Sequence, residues 1–505
     1  MRAADAVIGE VTVRLLLLSF AIVVQQLALR CAAIPRRGNE PWSVILCKFA
    51  DVHYEPRARE WFTEWMIGTN GVETIERYFS DVSNNIYTIT GTRIHGWFTL
   101  PWTRKQVRRM ASEDNELQDS AERDFALYDK TKELCVKLAL KNGETLHSQK
   151  ITIINAENNA VYGKKHGVLL TPKLIFSSVL THEMVHSFYI GHSYSDRNIK
   201  VFPHSRSGEY DDKYDLMSTA NALMHPSPYG LSGPGLNGPH LDYLGWLPMN
   251  RVVYFGRDGR HNYTLRFSSL SVPHKGTTGW LLALIPYDRD DPGNVYTVEY
   301  RTPNNYDQGI KQGAVVIHRV QRVGSSYYSV IVTHSRDYYE LIEGTEWIHF
   351  LDYDSSNKYQ YIRVRVEKVN RRARYADVTV VSTFDPIACR SFEAKRVLND
   401  EERKARNTTV EHICVPRSYA KEQDFLIEKQ EKRNRLFDIS EDNKLGDSRI
   451  AENGCQPPYV PRNAFVGDEV CVTKEESKRI QTENDEQHSH MRYYAFFNGQ
   501  DTIGI

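Results

Sequence analysis

KLIFSSVLTHEMVHSFYIGH, residues 173–192, holds the densest pattern in the chain. Its apolar positions recur three and four apart as far as Phe188, the spacing of an α-helix. His182 and His186 then share one face, and Glu183 lies about 100° round from His182. His192 follows six residues after His186. On a continued helix that is about 600° of rotation and points it away, so the chain has to leave the helix in between. Histidines four apart can place ring nitrogens on one ion at about 2.0–2.1 Å, and a third completes the three protein ligands of an open zinc site. Glu183 is placed to reach water at such a site without ligating the metal.

On these residues the segment resembles the HExxHxxGxxH motif of metzincin metallopeptidases. YDLMSTAN at 214–221 resembles their Met-turn, with Met217 beneath the metal. HEMVHSFYIGHS, EYDDKYDLMS at 209–218 and GPGLNGPHLDYLGWL at 233–247 together resemble the gametolysin-like branch and its relatives near immune inhibitor A. FSDVSNNIYTITGTRIHGWFTLP at 79–101 is similar to the segment before the zinc helix there, and VYTVEYRTPNNYDQGIKQGAVVIHRV at 295–320 resembles the start of the following β-domain. The likeness covers roughly residues 43–380, strongest around the histidines.

The resemblance implies an α/β (α+β) metzincin-like catalytic domain with a zinc-binding active-site helix, then an antiparallel β-sandwich and a cysteine-containing C-terminal region. It implies one catalytic Zn2+ held by His182, His186 and His192, with Glu183 as general base and then acid in peptide hydrolysis. Met217 is the floor of that site or an ordinary core methionine. Tyr210 or Tyr214 supports the oxyanion, or both are buried structural tyrosines. Asp211, Asp212 and Asp215 read equally as a Ca2+ site and as a solvated acidic turn. His204, His225 and His240 lack ligand spacing and read as surface or core residues. One position departs from the family: the glycine after the second histidine is Tyr189. That glycine lets the chain turn left-handed, so Tyr189 is expected to be strained, or the bend to shift with Gly191 taking part, which would loosen His192.

The 505 residues are 41% hydrophobic and 25% charged, enough for a sizeable core and two to four domains. Lys+Arg and Asp+Glu are both 64, so nothing in the charge balance points to nucleic acid as a partner. LLLLSFAIVV at 15–24 behind Arg14, with small residues up to Ala33, has the form of a secretory signal peptide over 1–33; an uncut membrane anchor is the alternative. The run is short for a bilayer span, and no later segment reaches ~20 apolar residues. A secreted, extracellular protein without a stable membrane span is expected.

Cys47, Cys135, Cys389, Cys414, Cys455 and Cys471 remain past that leader; disulfides follow in an oxidising compartment, and we expect local pairing within each domain. The sequons at Asn262 and Asn407 fit glycosylation. The expected division is a catalytic domain over 34–250, a β-sandwich over 251–385 built from about eight strand-like runs, and a charged, disulfide-containing region over 386–505. Three readings stand: a secreted zinc endopeptidase cutting an extracellular protein substrate, a different zinc hydrolase on the same metal scaffold, and an adhesion or decoy protein acting through the later regions. For the first, no room for a folded pro-domain lies between residues 34 and 43, so the enzyme is secreted active or is restrained by an extracellular inhibitor. The dibasic pair Arg36-Arg37 could mark a trimming site.

Overall fold

The computed structural model describes residues 36–384, interrupted at 70–71, 115–116, 118–122, 157–159, 164–166, 220, 256–260, 289–290, 292, 324–325, 335–337 and 354–357, and short pieces between 393 and 478. The leader, Cys389 and Asn407 lie outside the described residues. The chain is a mixed α/β protein in which strands outnumber helices.

The N-terminal half is organised by a five-stranded sheet in the order Arg93–Thr99, Trp42–Lys48, Gln149–Ile154, Gly167–Leu170, Ala160–Gly163. The first four run parallel and the last is antiparallel at the edge. Trp42–Lys48 is buried along nearly its whole length, as a parallel strand covered on both faces must be. Its alternation sorts two cores: Trp42, Val44 and Leu46 enter one apolar cluster, Ile45 and Cys47 the other.

Among the described residues six helices accompany the sheet: α1 (Arg59–Ile67), α2 (Ile75–Val82), α3 (Arg104–Glu113), α4 (Arg123–Lys141), α5 (Ser177–His186) and α6 (Gly238–Tyr243). α2 starts where the Thr74 side chain accepts the Arg77 N–H, and α3 starts at a capping box of Thr103 and Gln106, which satisfy donors left open by the first turn. α3 and α4 cover one face through Val107, Leu127 and Ala139. A disulfide between Cys47 and Cys135, Cα atoms 6.2 Å apart, ties α4 to the central strand. α1, α2 and α5 cover the other face through Phe62, Trp65, Phe79, Met184 and Val185. α5 is buried from Ser177 to Val185, and each of Val179, Leu180, Met184 and Val185 stabilises its position by roughly 1.5–3 kcal/mol of apolar burial.

All eight runs expected as strands beyond residue 250 are strands. Leu282–Pro286, Val295–Arg301, Ala314–Val323 and Ser326–Ile331 belong to one sheet. His261–Ser268, Tyr375–Ser382, Tyr359–Asn370 and Glu346–Tyr353 form, in that order, a second, antiparallel one. The two sheets share one apolar cluster, with Val298, Val315 and Ile317 from the first and Phe267, Val364 and Val378 from the second.

The first of these sheets is not confined to 251–385. Tyr194–Ser195, just past His192, pairs in parallel with Val330 and Ile331. Arg36, read as part of a trimming site, is docked: its guanidinium donates to the Ser187 carbonyl at 3.1 Å and lies over the Phe188 ring. No helix among the described residues is long and apolar enough to cross a membrane.

Candidate metal centre

α5 ends at His186, and the chain leaves it through Ser187, whose N–H and hydroxyl both turn back onto the last carbonyls. The next three residues decide the site. Tyr189 itself takes the left-handed conformation, φ 64°, and Gly191 does not. The bend is therefore not shifted, and the strain falls on an exposed tyrosine ring. The turn aims the Ile190 carbonyl at His186 Nδ1, 2.8 Å away, and returns the chain so that His192 meets the two helical histidines.

Each imidazole is locked through Nδ1. His182 Nδ1 lies 3.0 Å from the Leu216 carbonyl, and His192 Nδ1 lies 2.7 Å from Glu209 Oε1. A carbonyl oxygen only accepts, so Nδ1 of His182 and of His186 carries the hydrogen, and each Nε2 presents a lone pair. Burial holds both rings neutral, His182 near 4 and His186 well below its ordinary value. Their Nε2 atoms nevertheless stand 3.1 Å apart. Two facing lone pairs at that distance repel unless a cation lies between them; tetrahedral ligation with 2.0–2.1 Å bonds sets nitrogens about 3.3 Å apart. The candidate ligand atoms of His182, His186 and His192 all lie within 4.8 Å of one another, the one such cluster among the described residues.

Glu183 shares α5 with two of the histidines and is 8% exposed. Tyr210 Oη lies 3.0 Å from His192 Nε2, and its ring packs 4.1 Å from that imidazole. Burial raises the Tyr210 hydroxyl, and the charges of Glu209 and Glu183 raise it further, so it stays an O–H donor. Tyr214 is elsewhere, buried in a cluster with Ile310, Val316, Ile331 and Tyr339. Met217 is fully buried in a short 3-10 turn, Leu216–Ser218. That turn serves the histidines through its backbone: the Leu216 carbonyl orients His182, and the Met217 carbonyl accepts the Ser193 N–H beside His192.

The three aspartates read as a solvated turn or a calcium site are buried. Asp211 accepts from Ser195 and Tyr339. The Asp212 carboxylate accepts from Asn237 Nδ2 and the Tyr214 N–H and lies 2.9 Å from His318 Nε2, while the Asp212 N–H donates to Ser218 Oγ. Asp215 accepts from the Asn237 N–H, the Met217 N–H and Ser193 Oγ, and lies 3.0 Å from His240. Burial opposes the Asp215 charge, but His240 and these donors prevail and lower it to about 2. These carboxylates are occupied as internal braces, and His240 is a core residue. His225 pairs with Glu73, and His204 is exposed. Asn262 is exposed on its strand.

Sequence reasoning passed over Glu209, which fixes His192 while also accepting the Arg206 N–H at 2.7 Å. Its one signal was a carboxylate within the 209–218 segment, since metal-binding histidines commonly hand their second nitrogen to such a group. His318 carried no local signal at all. The chain matches no family model, and a search of curated proteins finds no match.

Proposed function

We propose that the chain is a secreted zinc endopeptidase, with a metzincin-like catalytic part and a β-sandwich behind it. The observation that carries this reading is the convergence of one ligand atom from each of His182, His186 and His192 within 4.8 Å, with the Nδ1 of each ring engaged by a protein oxygen. His182, His186 and His192 would hold the metal, with the Leu216 and Ile190 carbonyls and the Glu209 carboxylate fixing the ring orientations. Bound zinc supplies Lewis acidity and lowers the pKa of water toward neutrality. Glu183, one step round the helix from His182, takes the proton from the attacking water and returns it to the leaving amine. The Tyr210 hydroxyl, 3.0 Å from His192 Nε2, would be freed when that nitrogen ligates the metal and would then donate to the oxyanion of the tetrahedral peptide carbonyl. The leader pattern and the Cys47–Cys135 disulfide favour an oxidising, extracellular setting.

Elemental analysis combined with cleavage of a denatured protein tests the reading. Wild type and Glu183→Ala should each carry about one zinc per chain, with cleavage lost on chelation and reduced by about 10²–10⁴ in the variant. Absence of zinc would overturn it. Zinc without cleavage by wild type would overturn the peptidase assignment and favour the adhesion or decoy alternative.

A further inference from the structure

Away from the histidines, NRRARY at 370–375 is the tight turn joining the strands Tyr359–Asn370 and Tyr375–Ser382. It places three arginines within four residues on an exposed hairpin tip, Arg374 in the left-handed region at φ 56°. Arg371, Arg372 and Arg374 face Lys311 across a concave space of about 380 Å³. No residue lining that space is a carboxylate. Ordinary basic surface is interspersed with acid; here four cations share one cavity without it.

The floor supplies a second, independent observation. Tyr300 is completely buried, it lines the same space, and its hydroxyl has no hydrogen-bond partner among the described residues. A buried polar group left without a partner calls for an explanation such as an absent ion. Gly313 lies against that hydroxyl, and a Cβ there would stand 2.4 Å from Tyr300 Oη. Burial raises Tyr300 to about 12 against the pull of Arg371, so it is an O–H donor at neutral pH. Arg371 donates to Gln312 across a long 3.5 Å contact.

We propose that this cavity binds a sulfate or phosphate ester carried on a larger molecule. Guanidinium groups approaching from several directions suit a tetrahedral oxyanion, whereas a planar carboxylate is satisfied by one of them. The volume exceeds what a bare ion needs and lies in the range of sites for small organic ligands. The site is independent of the metal centre and of the peptidase reading.

Calorimetric titration of the full chain with a sulfated disaccharide and with a hexose bisphosphate, at low salt, tests the proposal. Saturable binding is expected for at least one; the tighter of the two identifies whether the ester is sulfate or phosphate. Arg371→Ala with Arg374→Ala should weaken it about tenfold or more, since charge-assisted bonds are the strong ones, and Tyr300→Phe about fivefold. The arginines are exposed, so the melting temperature of the double variant should match wild type. Binding of neither probe, equal binding by the arginine variant, or equal binding of an unesterified uronic acid would overturn the proposal.

Discussion

Tyr189 is where one side chain bears the cost of the site. A non-glycine residue held left-handed costs roughly 1–2 kcal/mol, and glycine returns part of that through its freedom in the unfolded chain. Tyr189→Gly should therefore raise stability by about 0.5 kcal/mol, read from denaturant midpoints, with zinc content unchanged; a loss of stability would show that the exposed ring makes a contact of value. The His182–Glu183–His186 pattern was legible because helical spacing alone brings those side chains together. Placing His192 required knowing how the chain turns, and the left-handed tyrosine is an exception that propensity disfavours. Glu209 could be recognised only once the loop had folded back, since seventeen residues separate it from His192.

Among the elements, strands were the easiest to read. VYTVEYR and YADVTVV carry the β-branched and aromatic content of half-buried or buried strands and bend away at turn residues, so periodicity sufficed. The brace between α4 and the central strand was less accessible, because six cysteines allow 15 pairings. The Cys47–Cys135 bond closes a separation of 88 residues, and Cys135→Ser should lower stability by about 2–5 kcal/mol. Chemical denaturation of the variant, beside wild type in reductant, should give the same shift. Normal stability of both would mean that the helix and strand hold each other by packing alone.

Across the whole molecule, buried charge joins the two halves. His318, on a strand of the later sheet, lies 2.9 Å from Asp212 and 3.8 Å from Glu299, while Arg301 binds Asp307 through two nitrogens. Burial disfavours the His318 cation, but the carboxylates outweigh it and raise His318 above 6.5. Its contribution is fully present below the unfolded value of about 6.5 and is lost as pH rises through the raised folded value. Thermal melts from pH 6 to 9 should show this decline, and His318→Gln should flatten it while costing about 3–5 kcal/mol at the acid end, the usual penalty for stripping a buried charge of its partner. A variant with the wild-type pH profile would remove His318 from this role. No local pattern in the sequence could reveal such a pairing, since 106 residues separate the two groups.

The pairing of Tyr194–Ser195 with Val330–Ile331 also imposes an order on biosynthesis. Polypeptide leaves the ribosome from its N-terminus at about 5–20 residues per second. The strand that pairs with the loop after His192 emerges about 136 residues behind it, so the loop waits roughly 7 to 27 seconds for that partner. During that interval His192 has Glu209 and the Met217-linked Ser193 beside it, and a nascent chain halted before residue 326 has every candidate ligand but not the strand that pairs with Tyr194–Ser195. The late sheet thus sets the timing of the last brace: the loop after the histidines gains its strand partner only once about two thirds of the chain has been made.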